Sequence, residues 1–214
     1  MNVLVVIPCY NHSNYLPQLL KKLIKYNVLI IDDGSDINIS LQNHIENIVL
    51  IRNNVNKGKG YSIKKAAKYA RRNNYTHIIT IDSDLQHNVE DLKLFISKAK
   101  NCDLVYGYRS NYKKMPLLRI FSNKITSFMI SSSCSKKIYD SQCGYRMYKL
   151  SLFEDLLSNE DGYQFESEIL LKKINNESII DYVEIKTIYD NSPSYFSNIS
   201  DTFRFIKMYI KHYI

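Results

Sequence analysis

The chain lacks the features that mark small secreted or membrane-spanning proteins. Only four of its 214 residues are cysteine: Cys9, Cys102, Cys134 and Cys143. None forms a Cys-x-x-Cys pair or sits near a suitably spaced histidine pair, which argues against a zinc site. The spacing also does not resemble a secreted disulfide framework, so reduced thiols in a cytoplasmic protein are expected. No segment approaches the roughly 20 apolar residues that a membrane span needs. The first apolar run, Val3 to Ile7, is too short for the core of a signal peptide and ends at Pro8. Neither a Gly-x-x-x-x-Gly-Lys-Ser/Thr loop nor a Gly-x-Gly-x-x-Gly fingerprint occurs, which weakens P-loop and dinucleotide readings. There is no internal repeat and no long linker.

What is present suits one domain. Hydrophobic residues make up 45% of the chain, enough for a packed core at this length. The formal net charge is +8, which favours anionic partners without naming one. Continuous β-branched runs at Val3–Ile7, Val28–Ile31, Ile48–Ile51, Ile78–Ile81 and Leu104–Tyr108 predict strands buried on both faces. Helical spacing between them predicts helices over 14–25, 59–72 and 88–100, the last capped by Asn88. This alternation predicts an α/β fold with a mostly parallel sheet flanked by helices. Beyond Arg109 a basic loop, 110–115, precedes a helix over 116–132. A short strand within 138–148, a helix over 163–174 and an extended run over 179–185 follow. A polar loop, 192–198, leads to a closing amphipathic helix over 201–214.

Ligands of open parallel sheets bind beyond the carboxyl ends of the strands. Three such ends carry informative residues: Pro8-Cys9-Tyr10-Asn11, Asp32-Asp33-Gly34-Ser35 and Asp82-Ser83-Asp84. Asp82 and Asp84 can aim at one point if the chain turns there, and Gln86 could add a carbonyl oxygen. Magnesium is commonly held by one or two carboxylates plus substrate phosphates. An isolated Asp-x-Asp is more often a turn. Asp33 could accept from a base or ribose, or could serve the turn with Gly34. Asn56-Lys57-Gly58-Lys59-Gly60 opens a helix, where exposed amides can approach phosphate.

In this order, and with Asp140-Ser141-Gln142-Cys143-Gly144-Tyr145-Arg146 and Phe165-Glu166-Ser167-Glu168-Ile169-Leu170 downstream, the motifs resemble the family 2 glycosyltransferases of the GT-A fold. The branch they look like contains the polyprenyl-phosphate (dolichol-phosphate) mannose and glucose synthases. The resemblance spans nearly the whole chain. It implies one domain, with 1–108 as nucleotide-binding half, 109–200 as acceptor half and 201–214 as terminal helix. It implies a metal-dependent, inverting hexosyltransferase that uses a UDP or GDP sugar and Mg2+ or Mn2+.

By position, Pro8, Tyr10, Asn11, Ile31, Asp33 and Lys59 would line the nucleotide pocket. Asp82, Ser83, Asp84 and Gln86 would surround the metal and diphosphate, and Arg109 would contact phosphate. Arg119, Ser122, Lys124 and Arg146 would serve an acceptor phosphate. Two departures stand out: His12 replaces a frequent Glu, and Ser83 a usual Ala.

The nucleophile decides what else is needed. A glycan hydroxyl benefits from a carboxylate base, for which Asp140 and then Glu168 are the candidates. A polyprenyl phosphate is already ionised and needs cations, which Arg109, Lys113, Lys114, Arg119 and Lys124 could supply. The resemblance favours the polyprenyl phosphate. The alternatives are transfer to a glycan hydroxyl of a surface polysaccharide or glycolipid, and a non-catalytic nucleotide-sugar-binding module. Acidic residues at successive strand ends argue against nucleic acid. In the last helix Arg204, Lys207 and Lys211 share one face, and Ile206, Tyr209, Ile210 and Tyr213 another. Such a helix either packs on its own domain or lies on the cytoplasmic face of a membrane.

Overall fold

The β-branched runs form the middle of a seven-stranded sheet. The computed structural model describes residues 1–41, 46–111, 115–186 and 198–213, with the side chains of 198–200 and 213 not described. The strands are β1 (Val3–Cys9), β2 (Val28–Asp32), β3 (Ile48–Arg52), β4 (His77–Thr80), β5 (Leu104–Arg109), β6 (Arg146–Lys149) and β7 (Ile180–Ile185). Their order across the sheet is β3-β2-β1-β4-β6-β5-β7. β1 pairs in parallel with β2 and β4, β2 with β3, and β5 with β7. Every residue of β2 is buried, as continuous apolar strands require.

The helices are α1 (Leu16–Leu23), α2 (Lys59–Arg72), α3 (Leu92–Lys98), α4 (Leu117–Cys134), α5 (Phe165–Lys173) and α6 (Asn198–Tyr213). α1 buries Leu16, Leu19, Leu20 and Leu23 against one sheet face. α2 buries Ile63, Ala66, Ala67 and Ala70 against the other. Burying a leucine stabilises the fold by roughly 1.5–3 kcal/mol relative to leaving it exposed. The alanines of α2 add little area but let the helix axis approach β1. Asn88 accepts from the Glu90 amide, as a cap at that position should.

The predicted parallel sheet has one exception. β6 runs antiparallel, wedged between β4 and β5, with Thr80 opposite Arg146 and Val105 opposite Met147. The short strand expected within 138–148 is β6, at 146–149, although Arg-Met-Tyr-Lys gives no sign of burial because its first residue is charged. The Arg146 side chain is nevertheless fully buried. It donates to the carbonyls of Cys143 (2.7 Å), Ser141 (2.8 Å) and Glu166, and its guanidinium lies 4.6 Å from the Tyr106 ring centroid. A buried cation is tolerated when its protons are satisfied in this way.

α6 does pack on its own domain. Phe205 and Met208 join the core, and Ile206 and Tyr209 pack half-buried beside them. The predicted apolar face is therefore rotated: Ile210 is exposed, while Phe205 and Met208 carry the packing. The loop residues Lys113 and Lys114, and most of the 192–198 loop, lie outside the described residues. All four cysteines are free thiols, and no helix among the described residues is long and apolar enough to cross a membrane.

Candidate active site

The carboxyl ends of β1, β2 and β4 open into one cavity of about 470 Å³. That volume suits a small-molecule ligand. Its walls include Pro8, Tyr10, Asp33, Lys59, Asp82, Ser83, Asp84, Gln86, Arg109 and Arg119, all expected from the sequence. α2 and α5 wall one flank, and α4 and α6 another.

At one end stand the acidic residues. Lys59, from the first turn of α2, reaches 2.7 Å from Asp82 Oδ1 and 3.2 Å from Glu166 Oε1. His87 Nε2 stands 3.3 Å from the other Asp82 oxygen. Burial alone would raise the Asp82 carboxyl, but Lys59 and His87 outweigh it and hold the group well below the usual range. Burial of the Lys59 ammonium opposes its charge, yet Asp82 and Glu166 keep it firmly protonated. Asp84 behaves oppositely. Burial and then the charge of Asp82 push its carboxyl up, and its Oδ1 accepts from the Gln86 amide at 3.0 Å.

A glycine makes this cluster possible. A Cβ on Gly144 would lie 2.5 Å from Lys59 Nζ and 2.9 Å from Asp82 Oδ2. The glycine of Gln-Cys-Gly-Tyr-Arg therefore leaves room for the ion pair. Gly58 serves the neighbouring turn: its φ is 100°, and a Cβ there would run into the Asp161 carbonyl. Asp33 holds the same turn, accepting from the amides of Lys57 (3.1 Å) and Gly58 (2.7 Å) and from Asn53 Nδ2 (2.6 Å).

At the other end the charge is mainly positive. Arg109, Arg119 and Arg204 line the wall, with Gln142 and Thr202. Ser122 lies behind them, 2.7 Å from Thr202 Oγ1 and 3.1 Å from Gln142 Nε2.

Several expected residues are not at the cavity surface. Asp140 has no exposed surface. Its carboxylate accepts from Arg109 Nε (2.6 Å), Arg109 Nη2 (2.8 Å) and Asn123 Nδ2 (2.8 Å). Burial opposes its ionisation, but Arg109 outweighs that and lowers the pKa. Glu168 faces away, accepting from Ser158 Oγ and the amides of Asn159 and Glu160, with Lys172 at 2.8 Å. Arg146 lies beneath the cavity floor rather than on it. Ile31 points into the core cluster. Asn11 braces the neighbouring turn through Ser35 and Asp36. Lys124 is exposed outside the cavity.

Sequence reasoning missed Glu166, Gln142, Tyr163, Asp201 and Thr202 as cavity residues. One signal was available. In Phe-Glu-Ser-Glu the two glutamates are about 200° apart on a helix, so only one can face a given side. That one is Glu166. The α6 residues had no comparable signal, because only the tertiary packing returns them to the sheet.

A β-α-β sheet carrying an Asp-x-Asp pair and a cationic wall in one cleft defines a nucleotide-sugar-dependent transferase scaffold. The comparison with known families makes this specific: residues 4–157 match the model of glycosyl transferase family 2, and the chain belongs to that family. An uncharacterised protein of Methanocaldococcus jannaschii is 34% identical over 212 residues, covering 90% of this chain and 91% of the relative. The UDP-N-acetylglucosamine–dolichyl-phosphate N-acetylglucosaminyltransferase of Methanococcus voltae is 28% identical, covering 87% and 86%. Among solved structures, glucosyl-3-phosphoglycerate synthase of Mycobacterium tuberculosis, in complex with Mn2+, UDP and phosphoglyceric acid, superposes with a TM-score of 0.73. It is 13% identical, and the match covers 99% of this chain and 77% of that one, which establishes the shared GT-A fold.

Proposed function

We propose that the protein transfers a sugar, with inversion, from a UDP or GDP sugar to a polyprenyl phosphate, at the cytoplasmic face of a membrane. The observation that carries the acceptor choice is the state of Asp140. The carboxylate expected as a base is sealed under Arg109 and Asn123, while the wall above it presents guanidinium groups. A phosphate nucleophile is already ionised and needs positioning cations rather than a base, whereas a hydroxyl benefits from a carboxylate base. The Methanococcus voltae relative, named for a dolichyl-phosphate acceptor, supports the same choice.

On this reading residues 1–108 hold the nucleotide, 109–200 form the acceptor side and 201–214 close the cleft. The acidic end fits a hard divalent cation, Mg2+ or Mn2+. Asp84, pushed up by burial and by Asp82, is a carboxylate short of positive charge. Among the described residues no group of three or more His, Cys, Asp or Glu is arranged to hold a metal. Asp82 and Asp84 would therefore hold it together with the diphosphate, as magnesium sites commonly do. The ion supplies charge neutralisation of the leaving diphosphate. Lys59 lies beside the same position and adds a second positive charge. Arg109, Arg119 and Arg204 orient the acceptor phosphate. One of its oxygens attacks the anomeric carbon, and the carbon–oxygen bond to the donor's β-phosphate breaks with its electron pair leaving on the nucleoside diphosphate.

The test is direct. The protein is incubated with a panel of UDP and GDP sugars, Mn2+ and undecaprenyl or dolichyl phosphate, and solvent-extracted lipid is analysed by mass spectrometry. A glycosyl-phospholipid product that disappears with EDTA and in Asp84→Ala is expected. Sugar appearing only on a glycan hydroxyl, or turnover indifferent to both changes, refutes the reading.

A further inference from the structure

Surface helices of globular proteins bury their apolar face and expose their polar one. α4 does the opposite. Its buried residues are Ser122, Asn123, Thr126, Ser127, Ile130 and Cys134. Leu117, Leu118, Phe121 and Phe128 are each 65–83% exposed, and Ile125 is exposed as well. At about 100° per residue, these five side chains fall within an arc of roughly 100° on the side opposite the buried face. On the neighbouring α6, Phe203 and Ile210 are also exposed.

The inversion is fixed by hydrogen bonds. Asn123 donates to the Asp140 carboxylate at 2.8 Å. Thr126 pairs with Ser141 at 2.6 Å, and Ser127 Oγ accepts from the Ser141 amide at 2.8 Å. Rotating α4 to hide its leucines and phenylalanines would break this network and strand buried polar groups. A contiguous exposed apolar face of this kind marks an interaction surface.

We infer that the outward face of α4, extended by Phe203 and Ile210 of α6, is the surface on which the protein docks onto an anionic lipid bilayer. The choice of partner rests on the lipid-acceptor reading above and on charge complementarity. Lys124 on α4, and Arg204, Lys207 and Lys211 on α6, are exposed. Cations flanking inserted phenylalanine and leucine side chains match a negatively charged headgroup layer. A symmetric pair of copies meeting through this face would bring two sets of cations together, which is unfavourable. Position agrees as well. Arg119 and Thr126 of α4, and Thr202 and Arg204 of α6, line the catalytic cavity. The apolar face therefore adjoins the end of the cavity where an acceptor phosphate would enter, with its hydrocarbon tail left in the bilayer.

The experiment is co-sedimentation with vesicles of phosphatidylcholine, with and without 30% phosphatidylglycerol, at low salt. The full chain is compared with Phe121→Ser/Phe128→Ser, whose changes are solvent-exposed; thermal melting confirms folding. We expect binding to the anionic vesicles and at least tenfold weaker binding by the variant. The variant should retain turnover of a short, water-soluble polyprenyl phosphate and lose turnover of acceptor embedded in vesicles. Equal sedimentation of both proteins, or no binding by the unaltered chain, overturns the inference. So does a lipid-independent dimer, seen by analytical ultracentrifugation, that the variant dissolves. Weaker vesicle binding by the variant, with neither polyprenyl phosphate consumed, would uphold the docking face and refute the acceptor reading instead.

Discussion

Replacing Asp140 by asparagine distinguishes a structural anchor from a catalytic base. The carboxylate is wholly buried and takes five hydrogen-bonding interactions, from Arg109 backbone and side chain, Asn123 and Gln142. Asparagine keeps the volume but loses the charge, leaving the Arg109 guanidinium buried without its counterion. Removing one partner of a buried pair typically costs about 3–5 kcal/mol. For a chain of this length each kcal/mol is about 2–4 °C, so a fall in melting temperature of roughly 6–20 °C is expected. The pH dependence follows from the lowered pKa. Asp140 contributes its full stability above the unfolded-state value for aspartate, about 3.9, and loses that contribution as pH falls through the lower folded value. The difference between the two proteins should thus be constant near neutrality and shrink in acid. Thermal melts from pH 7 down to pH 3, with lipid-acceptor turnover measured at low temperature, decide the matter. A variant with unchanged melting behaviour and turnover reduced by about 10²–10⁴, the usual span for losing a general base, would refute the anchoring role.

Lys59→Met leaves the partly buried Asp82 and the buried Glu166 without their shared cation, so its melting temperature should drop. Manganese should restore more of it than in the unaltered chain, as a calorimetric titration with and without Mn2+ would show. Gly144→Ala should leave the overall fold intact but force Lys59 and Asp82 apart. Lower affinity for a nucleoside diphosphate in the presence of Mn2+, with little change in melting temperature without ligand, is the expected signature.

Local order in the sequence carried most of the first hundred residues. Val3–Ile7 and Val28–Ile31 read as buried strands because burial on both faces demands continuous apolar runs. Asp33, Asp82 and Asp84 follow because the strand ends are where such folds bind ligands. The rest depended on partners distant in sequence. Arg146 looks like an exposed, ligand-binding cation until Tyr106 and the carbonyls of Ser141, Cys143 and Glu166 surround it. Asp140 looks like a free carboxylate until Arg109, at the end of β5, meets it. α4 has helical periodicity, but periodicity reports that a helix has two faces, not which one turns inward. Here hydrogen bonds from Asn123 and Thr126 decide it.

The insertion of β6 between β4 and β5 bears on how the chain is made. During synthesis the outer edge of β4 has no strand partner until residues 146–149 leave the ribosome. β5 lacks one neighbour for the same interval and gains the other only with β7. Partly synthesised chains therefore carry open strand edges, which invite pairing with other nascent molecules. Closing the sheet also requires contacts between residues some 70 positions apart, such as Ile78 with Tyr148, which slows folding. Truncations ending before β6 should aggregate, and the whole chain should benefit from chaperones that shield unpaired strands until its last third has emerged.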